Sequence, residues 1–129
     1  MLKPNAVPGT RIENTWIRSR YLKREVAVDF YLPPDETGNG EMSLLLINDG
    51  QDMEKMGFES ILEELYAGDD PIDPVLCVAM HCSADRKMEY GVAGKPDYNG
   101  RGAKADLYTS FIFEELLPFV REQYAVPSF

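Results

Sequence analysis

Three short segments of the chain have the apolar pattern of β-strands. SLLLIN (residues 43–48) and VLCVAMH (residues 75–81) are apolar on both faces of an extended chain, as is typical of inner strands in a parallel α/β sheet. EVAVDFYL (residues 25–32) instead has the period-two alternation of a strand with one apolar face. Its apolar face consists of Val26, Val28, Phe30 and Leu32, and its other face of Ala27, Asp29 and Tyr31.

The sheet is expected to begin with an antiparallel hairpin. Ile12 to Ser19 form a further strand candidate, which is expected to pair with the alternating strand through a turn at Tyr21 to Arg24. Pro33 and Pro34 then end that strand, because proline has no amide hydrogen for a sheet ladder. A polar loop that contains glycines leads on to SLLLIN.

Apolar residues after SLLLIN recur at helical spacing, at i, i+3, i+4, i+7 and i+8. They are Phe58, Ile61, Leu62, Leu65 and Tyr66, and Gly68 is placed to end the helix. The chain therefore passes from a strand through NDGQD (residues 48–52) into a helix. Although Asp-Gly is a common hairpin turn, we do not expect a hairpin here.

A second helix is predicted from Leu107 to Tyr124, after a long loop from Cys82 to Lys104. Asp106 is its expected N-cap, and Pro118 is expected to kink or break it because proline cannot donate to the preceding turn. A hairpin followed by two parallel strand-helix units predicts an α/β fold with a mixed sheet. All 129 residues are expected to form a single domain.

The net charge of the chain argues against some classes of binding partner. Thirteen Lys and Arg stand against 22 Asp and Glu, a net charge of −9, which repels phosphate backbones and anionic membrane surfaces. We interpret Glu114 and Glu115 as part of a hydrated helix face. The sequence shows no long apolar run and no leader-like segment. It therefore predicts a cytoplasmic protein that binds neither nucleic acid nor membrane.

Few residues of the chain suit catalysis or metal binding. No serine stands in the Gly-x-Ser-x-Gly turn that presents the nucleophile of α/β serine hydrolases. His81, the only histidine, is expected to be a satisfied polar group at a strand end. His81, Cys82 and Asp85 match no familiar zinc spacing, and no phosphate loop is present, so we predict neither a metal nor a cofactor. Cys77, inside an apolar strand, is expected to be a buried free thiol.

The order of these segments resembles the putative esterase family of the α/β-hydrolases, which includes enterochelin esterases, S-formylglutathione hydrolases and mycolyltransferases. The matching segments are FYLPP, SLLLINDGQD, a short helix, PVLCVAMHCSADRKMEY and FIFEELLPFVREQY. The resemblance spans Arg20 to Tyr124. It implies a partial α/β-hydrolase fold and a reaction in which a serine attacks the carbonyl of a small-molecule ester.

The resemblance also implies where the reacting carbonyl would lie. In the family, a strand that ends in Asp-Gly carries the oxyanion loop, and here those residues are Asp49 and Gly50. The backbone N–H of Gln51 then becomes one of two donors to the oxyanion, and Asp52 borders the same loop. Glycine suits this position because the chain has to turn sharply there.

A second family segment, Arg-x-x-Glu-Tyr, matches Arg86, Glu89 and Tyr90. The resemblance implies that these residues border the entrance of the active site. An alternative is that Arg86 and Glu89 form an ion pair that only orders the loop, since such pairs often contribute little to stability.

The resemblance stops before the nucleophile. In the family the next elements are a strand, the Gly-x-Ser-x-Gly elbow, and then the acid and the histidine, whereas this sequence ends at Phe129. We therefore expect an N-terminal fragment of a serine esterase that is inactive by itself. Because the nucleophile strand lies beside the oxyanion-loop strand in this fold, its absence would leave Ser43 to Asn48 as an open apolar edge. We therefore expect a homo-oligomer, formed either through this edge or by exchange of the C-terminal helix.

Two other function classes remain open from the sequence. A non-catalytic α/β binding or interaction domain could be complete at this length, and it would form a cooperative monomer without an exposed strand edge. A small Rossmann-like or flavodoxin-like enzyme could use the loops at Asn48 to Asp52 and His81 to Arg86, which follow the carboxyl ends of strands. The fingerprint for its cofactor is missing.

Overall fold

The computed structural model describes residues 10–33, 42–83, 86–90 and 102–124, and only the backbone of residues 86 and 87. The described residues separate into two compact units. The first unit holds residues 10–15, 28–33 and 42–81. The second unit holds residues 16–27, 82–83, 86–90 and 102–124.

One mixed sheet has its strands in the order β1-β2-β4-β3. The strands are β1 (Arg11–Ser19), β2 (Arg24–Leu32), β3 (Ser43–Ile47) and β4 (Val75–Met80). β4 pairs antiparallel with β2 and parallel with β3. The turn between β1 and β2 is too short for a parallel crossover, so these strands form an antiparallel hairpin. The predicted mixed sheet with its N-terminal hairpin is confirmed.

The inner strands β2 and β4 carry much of the buried apolar surface. Val26, Val28 and Phe30 are completely buried, which confirms the predicted apolar face of β2. In β4, Leu76 to Ala79 are completely buried on both faces, as an unbroken apolar run in a parallel sheet predicts. Cys77 is a buried free thiol, as expected, and burial raises its pKa to about 11.

β3 is parallel to β4 as predicted, but the prediction that both its faces are buried is wrong. Leu45 and Leu46 are 45% and 37% exposed. Within the described part of the chain, β3 is the last strand in the sheet and pairs with β4 alone. An unbroken apolar run indicates that a strand tolerates burial on both faces. It does not indicate which elements cover those faces. The expectation that this strand forms a sheet edge is confirmed for the described residues.

The chain leaves β3 through a helical turn, so NDGQD is not a hairpin. A 3-10 turn (Gly50–Asp52) leads into α1 (Met53–Met56) and then α2 (Phe58–Ala67). Gly57 separates the two helices with a φ of 71°, a left-handed conformation that glycine adopts without strain. The predicted helix after Gly57 is confirmed.

The core of the first unit lies between the sheet and these helices, and it consists of Tyr31, Met53, Leu62, Cys77 and Ala79. The Tyr31 ring meets Phe58 edge to face with 5.0 Å between centroids, a contact worth about 0.5–1.5 kcal/mol beyond its buried area. Only part of the predicted α2 stripe joins this core. Ile61 and Leu65 are 43% and 45% exposed.

The second unit contains the C-terminal helices. They are α3 (Arg86–Glu89), α4 (Ala105–Phe111), a π-helical segment (Ile112–Leu116) and α5 (Leu117–Tyr124). Asp106 is not the N-cap, because α4 already begins at Ala105 and Lys104 holds the cap position. Asp106 instead lies in the first turn, where a carboxylate interacts favourably with the helix dipole.

Pro118 does not break the helix. Leu117 donates its N–H to the carbonyl of Ile112, five residues back, so the helix widens by one residue just before the proline. Proline has no hydrogen to donate to the carbonyl four residues earlier, at Glu114, and that carbonyl lies within the widened segment. The predicted disturbance is present as a π-turn, and α5 continues beyond it.

Among the described residues, none of the helices has the length and apolar character of a membrane span.

Glu115 does not belong to a hydrated helix face, contrary to the prediction. Its carboxylate accepts hydrogen bonds from the Ser19 hydroxyl at 2.7 Å and from the backbone N–H of Arg20 at 3.0 Å. Glu114 is exposed, as predicted, and accepts a hydrogen bond from the Tyr21 hydroxyl at 2.6 Å. Two adjacent glutamates of the π-helical segment thus hold the turn between β1 and β2.

Candidate active site

A cleft of about 460 Å³ lies in the first unit. Gly50 and Gln51, which follow β3, line it together with His81, which follows β4. Because β3 and β4 are parallel, their carboxyl ends meet at the same edge of the sheet, the edge at which α/β proteins bind ligands. Residues of β1, β2, α1 and α2 complete the lining.

Backbone geometry at the end of β3 places Gln51 on the cleft. Asp49 has a φ of 58°, in the left-handed region that aspartate tolerates better than most residues. Asp52 donates its N–H to the Asp49 carbonyl at 3.0 Å, and Met53 donates to the carbonyl of Gly50. These two bonds close the 3-10 turn around Gln51.

Gly50 packs directly against the backbone of β4. A Cβ atom at this position would lie 2.7 Å from the carbonyl carbon of Ala79 and 2.8 Å from its oxygen, which is closer than non-bonded atoms approach. The contact holds the turn after β3 beside the last residues of β4. It therefore sets the position of Gln51 relative to His81.

The side chain of His81 is bonded to the carboxylate of Asp29, a pairing that the sequence does not predict. Its Nε2 lies 2.6 Å from Oδ2 of Asp29, and because an ionised carboxylate only accepts, Nε2 carries the hydrogen. The side-chain amide of Asn14 donates to Oδ1 of Asp29 at 2.6 Å. All three residues line the cleft. The expectation that His81 is a satisfied polar group at a strand end is confirmed for Nε2.

The cleft is acidic. Asp29, Glu54 and Glu59 line it, and no lysine or arginine is among its described lining residues. Burial, followed by the charges of Asp29, Glu59 and Glu54, raises the pKa of the Tyr31 hydroxyl. Tyr31 therefore stays protonated at neutral pH, and the cleft presents a negative potential to a ligand.

No metal centre is formed by the part of the chain that the structure describes, since no three side chains of the types that metals favour come together there. The trio His81, Cys82 and Asp85 includes one residue, Asp85, that lies outside the described residues.

The Arg-x-x-Glu-Tyr segment lies in the second unit. Glu89 is buried, and its carboxylate binds Arg24 through both oxygens, at 3.0 Å from Nε and 2.7 Å from Nη2. This hydrogen-bonded pairing raises the pKa of Arg24. Tyr90 packs edge-on against Tyr108, with 5.3 Å between ring centroids. The side chain of Arg86 lies outside the described residues, so its proposed pairing with Glu89 remains a prediction.

The structure brings together part of the predicted site and adds residues to it. Gly50 and Gln51 line the cleft, and Asp49 and Asp52 flank them in the same turn. The added residues are Asn14, Asp29 and His81, joined in one hydrogen-bonded chain. In the sequence, Asp29 is visible as a carboxylate in the middle of a strand. Nothing in the sequence shows which residue of another strand it contacts.

Comparison with known proteins identifies the family. A family model described as "Putative esterase" matches residues 19–128, which is most of the chain. The chain belongs to the putative esterase family. None of the curated protein sequences matches this esterase-family chain.

Solved structures of hydrolases share the fold of this esterase-family chain. An IroE-like serine hydrolase from Shewanella oneidensis is 26% identical, with a TM-score of 0.68, over 88% of this chain and 39% of that one. The siderophore hydrolase EstB from Aspergillus nidulans is 19% identical, with a TM-score of 0.70, over 98% and 48%. Enterochelin esterase from Shigella flexneri is 20% identical, with a TM-score of 0.64, over 89% and 25%. The chain thus spans less than half the length of each of these three proteins.

The close contact of Gly50 with β4 predicts that a methyl group is not tolerated there. Gly50→Ala should lower the free energy of unfolding by about 1–3 kcal/mol, because backbone atoms rather than a flexible side chain oppose the new Cβ. Urea denaturation followed by circular dichroism measures the change. Gly68→Ala is the matched control, since a Cβ there meets its nearest atom at 3.6 Å, and it should stay within about 0.5 kcal/mol of wild type. Equal stability of the two variants would contradict the prediction.

Proposed function

We propose that this chain supplies the oxyanion-loop part of a serine carboxylic ester hydrolase. The observation that carries the proposal is the turn after β3, which packs Gly50 against β4 and places Gln51 on the cleft. In acyl transfer, a backbone N–H held rigidly beside the carbonyl stabilises the negative charge of the tetrahedral intermediate. We assign that role to the backbone N–H of Gln51. Membership of the esterase family supports a small-molecule ester as the substrate.

The nucleophile, the acid and the general-base histidine of the reaction are proposed to lie outside these 129 residues. The chain has no Gly-x-Ser-x-Gly, and it spans less than half of the structurally similar hydrolases. In the intact protein, the serine would attack the ester carbonyl and the histidine would pass its proton to the leaving alcohol. The chain alone is then inactive, and the reaction needs no cofactor.

The remaining site residues take supporting roles in this proposal. Asp49, Gly50 and Asp52 shape the oxyanion turn. Arg86 and Tyr90 are assigned to the border of the active site by the family motif. For Glu89, the paired hydrogen bonds to Arg24 support a role in holding its own segment, because both carboxylate oxygens are already engaged.

A cytoplasmic location is part of the same proposal. The described structure contains two free cysteines, Cys77 and Cys82, which is typical of proteins in a reducing compartment.

The first prediction from this function concerns the chain alone. The purified chain should hydrolyse p-nitrophenyl acetate no faster than its heat-unfolded control, because it lacks the nucleophile elbow. The coding sequence downstream of Phe129 should contain Gly-x-Ser-x-Gly within a few tens of codons. Catalytic turnover by the chain alone would contradict the proposal, and so would a downstream sequence without the elbow.

The second prediction isolates the backbone hydrogen of Gln51. In the chain joined to its downstream segment, Gln51→Pro should lower kcat by about 10²–10³, the usual effect of losing one oxyanion donor. Gln51→Ala keeps the N–H and should change kcat far less. Circular dichroism would establish that both variants fold. Equal kcat values for the two variants would remove Gln51 from the oxyanion site.

We also propose that the chain self-associates through the edge of β3. β3 has a neighbour on one side only among the described residues, and its exposed Leu45 and Leu46 lie next to unpaired backbone groups. Sedimentation velocity should therefore show a concentration-dependent dimer or larger species. Leu45→Lys should shift the equilibrium towards monomer, and Met56→Lys, an equally apolar but helical surface position, should not. A wild-type monomer whose β3 amides resist hydrogen exchange would favour a self-contained binding domain instead.

A further inference from the structure

The hydrogen-bonded chain from Asn14 through Asp29 to His81 has no part in the reaction as proposed, whose general base lies elsewhere. It nevertheless lines the same cleft as Gln51. Nε2 of His81 donates to Asp29, and Nδ1 has no partner among the described residues. The side chain of His81 is 31% exposed, so a small ligand can reach the ring.

The imidazole ring is oriented before any ligand arrives. Asp29 is itself held by Asn14 on its other oxygen, and its side chain is only 16% exposed. A side chain fixed in this way loses little conformational entropy when it binds a ligand, which favours a role in recognition. The contact of Gly50 with Ala79 fixes the oxyanion turn beside the same strand end.

We propose that His81 is a positioning residue that binds a hydroxyl group of the ester through Nδ1, while the ester carbonyl lies at Gln51. A hydroxyl suits this position in either charge state of the ring. It donates to Nδ1 of a neutral imidazole, and it accepts from the N–H that a protonated ring presents there. The inference rests on the proposed function, because Gln51 sets the position of the carbonyl. It names the substrate class as hydroxyl-bearing esters.

The charge of the cleft limits this class further. The carboxylates of Asp29, Glu54 and Glu59 accept hydrogen bonds from hydroxyl groups and repel a carboxylate on the ligand. An ester that carries a negative charge should therefore bind more weakly at the same position.

The single histidine of the chain makes the test direct. In a long-range ¹H–¹⁵N spectrum, every imidazole signal belongs to His81. The probes are ethyl lactate, ethyl propanoate, which differs by the hydroxyl alone, and monoethyl succinate, which adds a carboxylate. Ethyl lactate should shift the His81 ring signals saturably and bind about fivefold more tightly than ethyl propanoate, the usual effect of one hydrogen bond. Monoethyl succinate should bind more weakly than both.

Two variants separate recognition from mere folding. In His81→Phe, titrations followed at the backbone amide of Gln51 should show that ethyl lactate and ethyl propanoate bind with equal affinity. His81→Gln keeps a polar group at the site and should recover part of the preference. An amide spectrum with native dispersion establishes that each variant is folded.

Three results would overturn the inference. They are equal binding of ethyl lactate and ethyl propanoate by the wild-type chain, a preference that survives in His81→Phe, and no shift at His81 with any of the esters. None of these results bears on the role of Gln51 as an oxyanion donor, which the comparison of Gln51→Pro with Gln51→Ala decides separately.

Discussion

The contact between Gly50 and Ala79 is the constraint on which the cleft depends. With no side chain at Gly50, the turn after β3 lies directly on the backbone of β4. The parallel pairing of β3 with β4 then brings Gln51 and His81 to one edge of the sheet. A larger residue would push the turn outward, and the amide and the imidazole would lose their fixed relation. The geometry of the site is therefore a property of backbone packing before it is a property of any reactive side chain.

The sequence predicts those parts of the fold in which local pattern and environment agree. The unbroken apolar run of β4 predicts burial on both faces, and Leu76 to Ala79 are completely buried. The alternation of β2 predicts its apolar face correctly. The periodic stripe after Gly57 shows that the chain enters a helix, which excludes a hairpin at NDGQD. In the two strands the residues that form the pattern are buried, whereas Ile61 and Leu65 of the helical stripe remain exposed.

Predictions fail where a residue's role depends on a partner distant in the chain. Asp29 occurs in the sequence as one carboxylate in a strand, and only the pairing with β4 brings it to His81, 52 residues away. Glu115 lies on a helix, and its partners are Ser19 and Arg20, near the start of the chain. The exposure of Leu45 likewise depends on which elements lie beside β3, and the residues of β3 themselves do not show this. Local periodicity contains no information about such contacts.

The placement of Asp29 has an energetic reason that agrees with a role in the cleft. A carboxylate that is mostly removed from water costs free energy unless hydrogen bonds replace its hydration. Asn14 and His81 supply those bonds, one to each oxygen. Had the strand needed only packing at this position, an apolar residue of similar size would serve without any partner. Asp29 is best explained by its effect on His81. Its carboxylate fixes which ring nitrogen carries the hydrogen, and the other ring nitrogen stays available to bind a ligand.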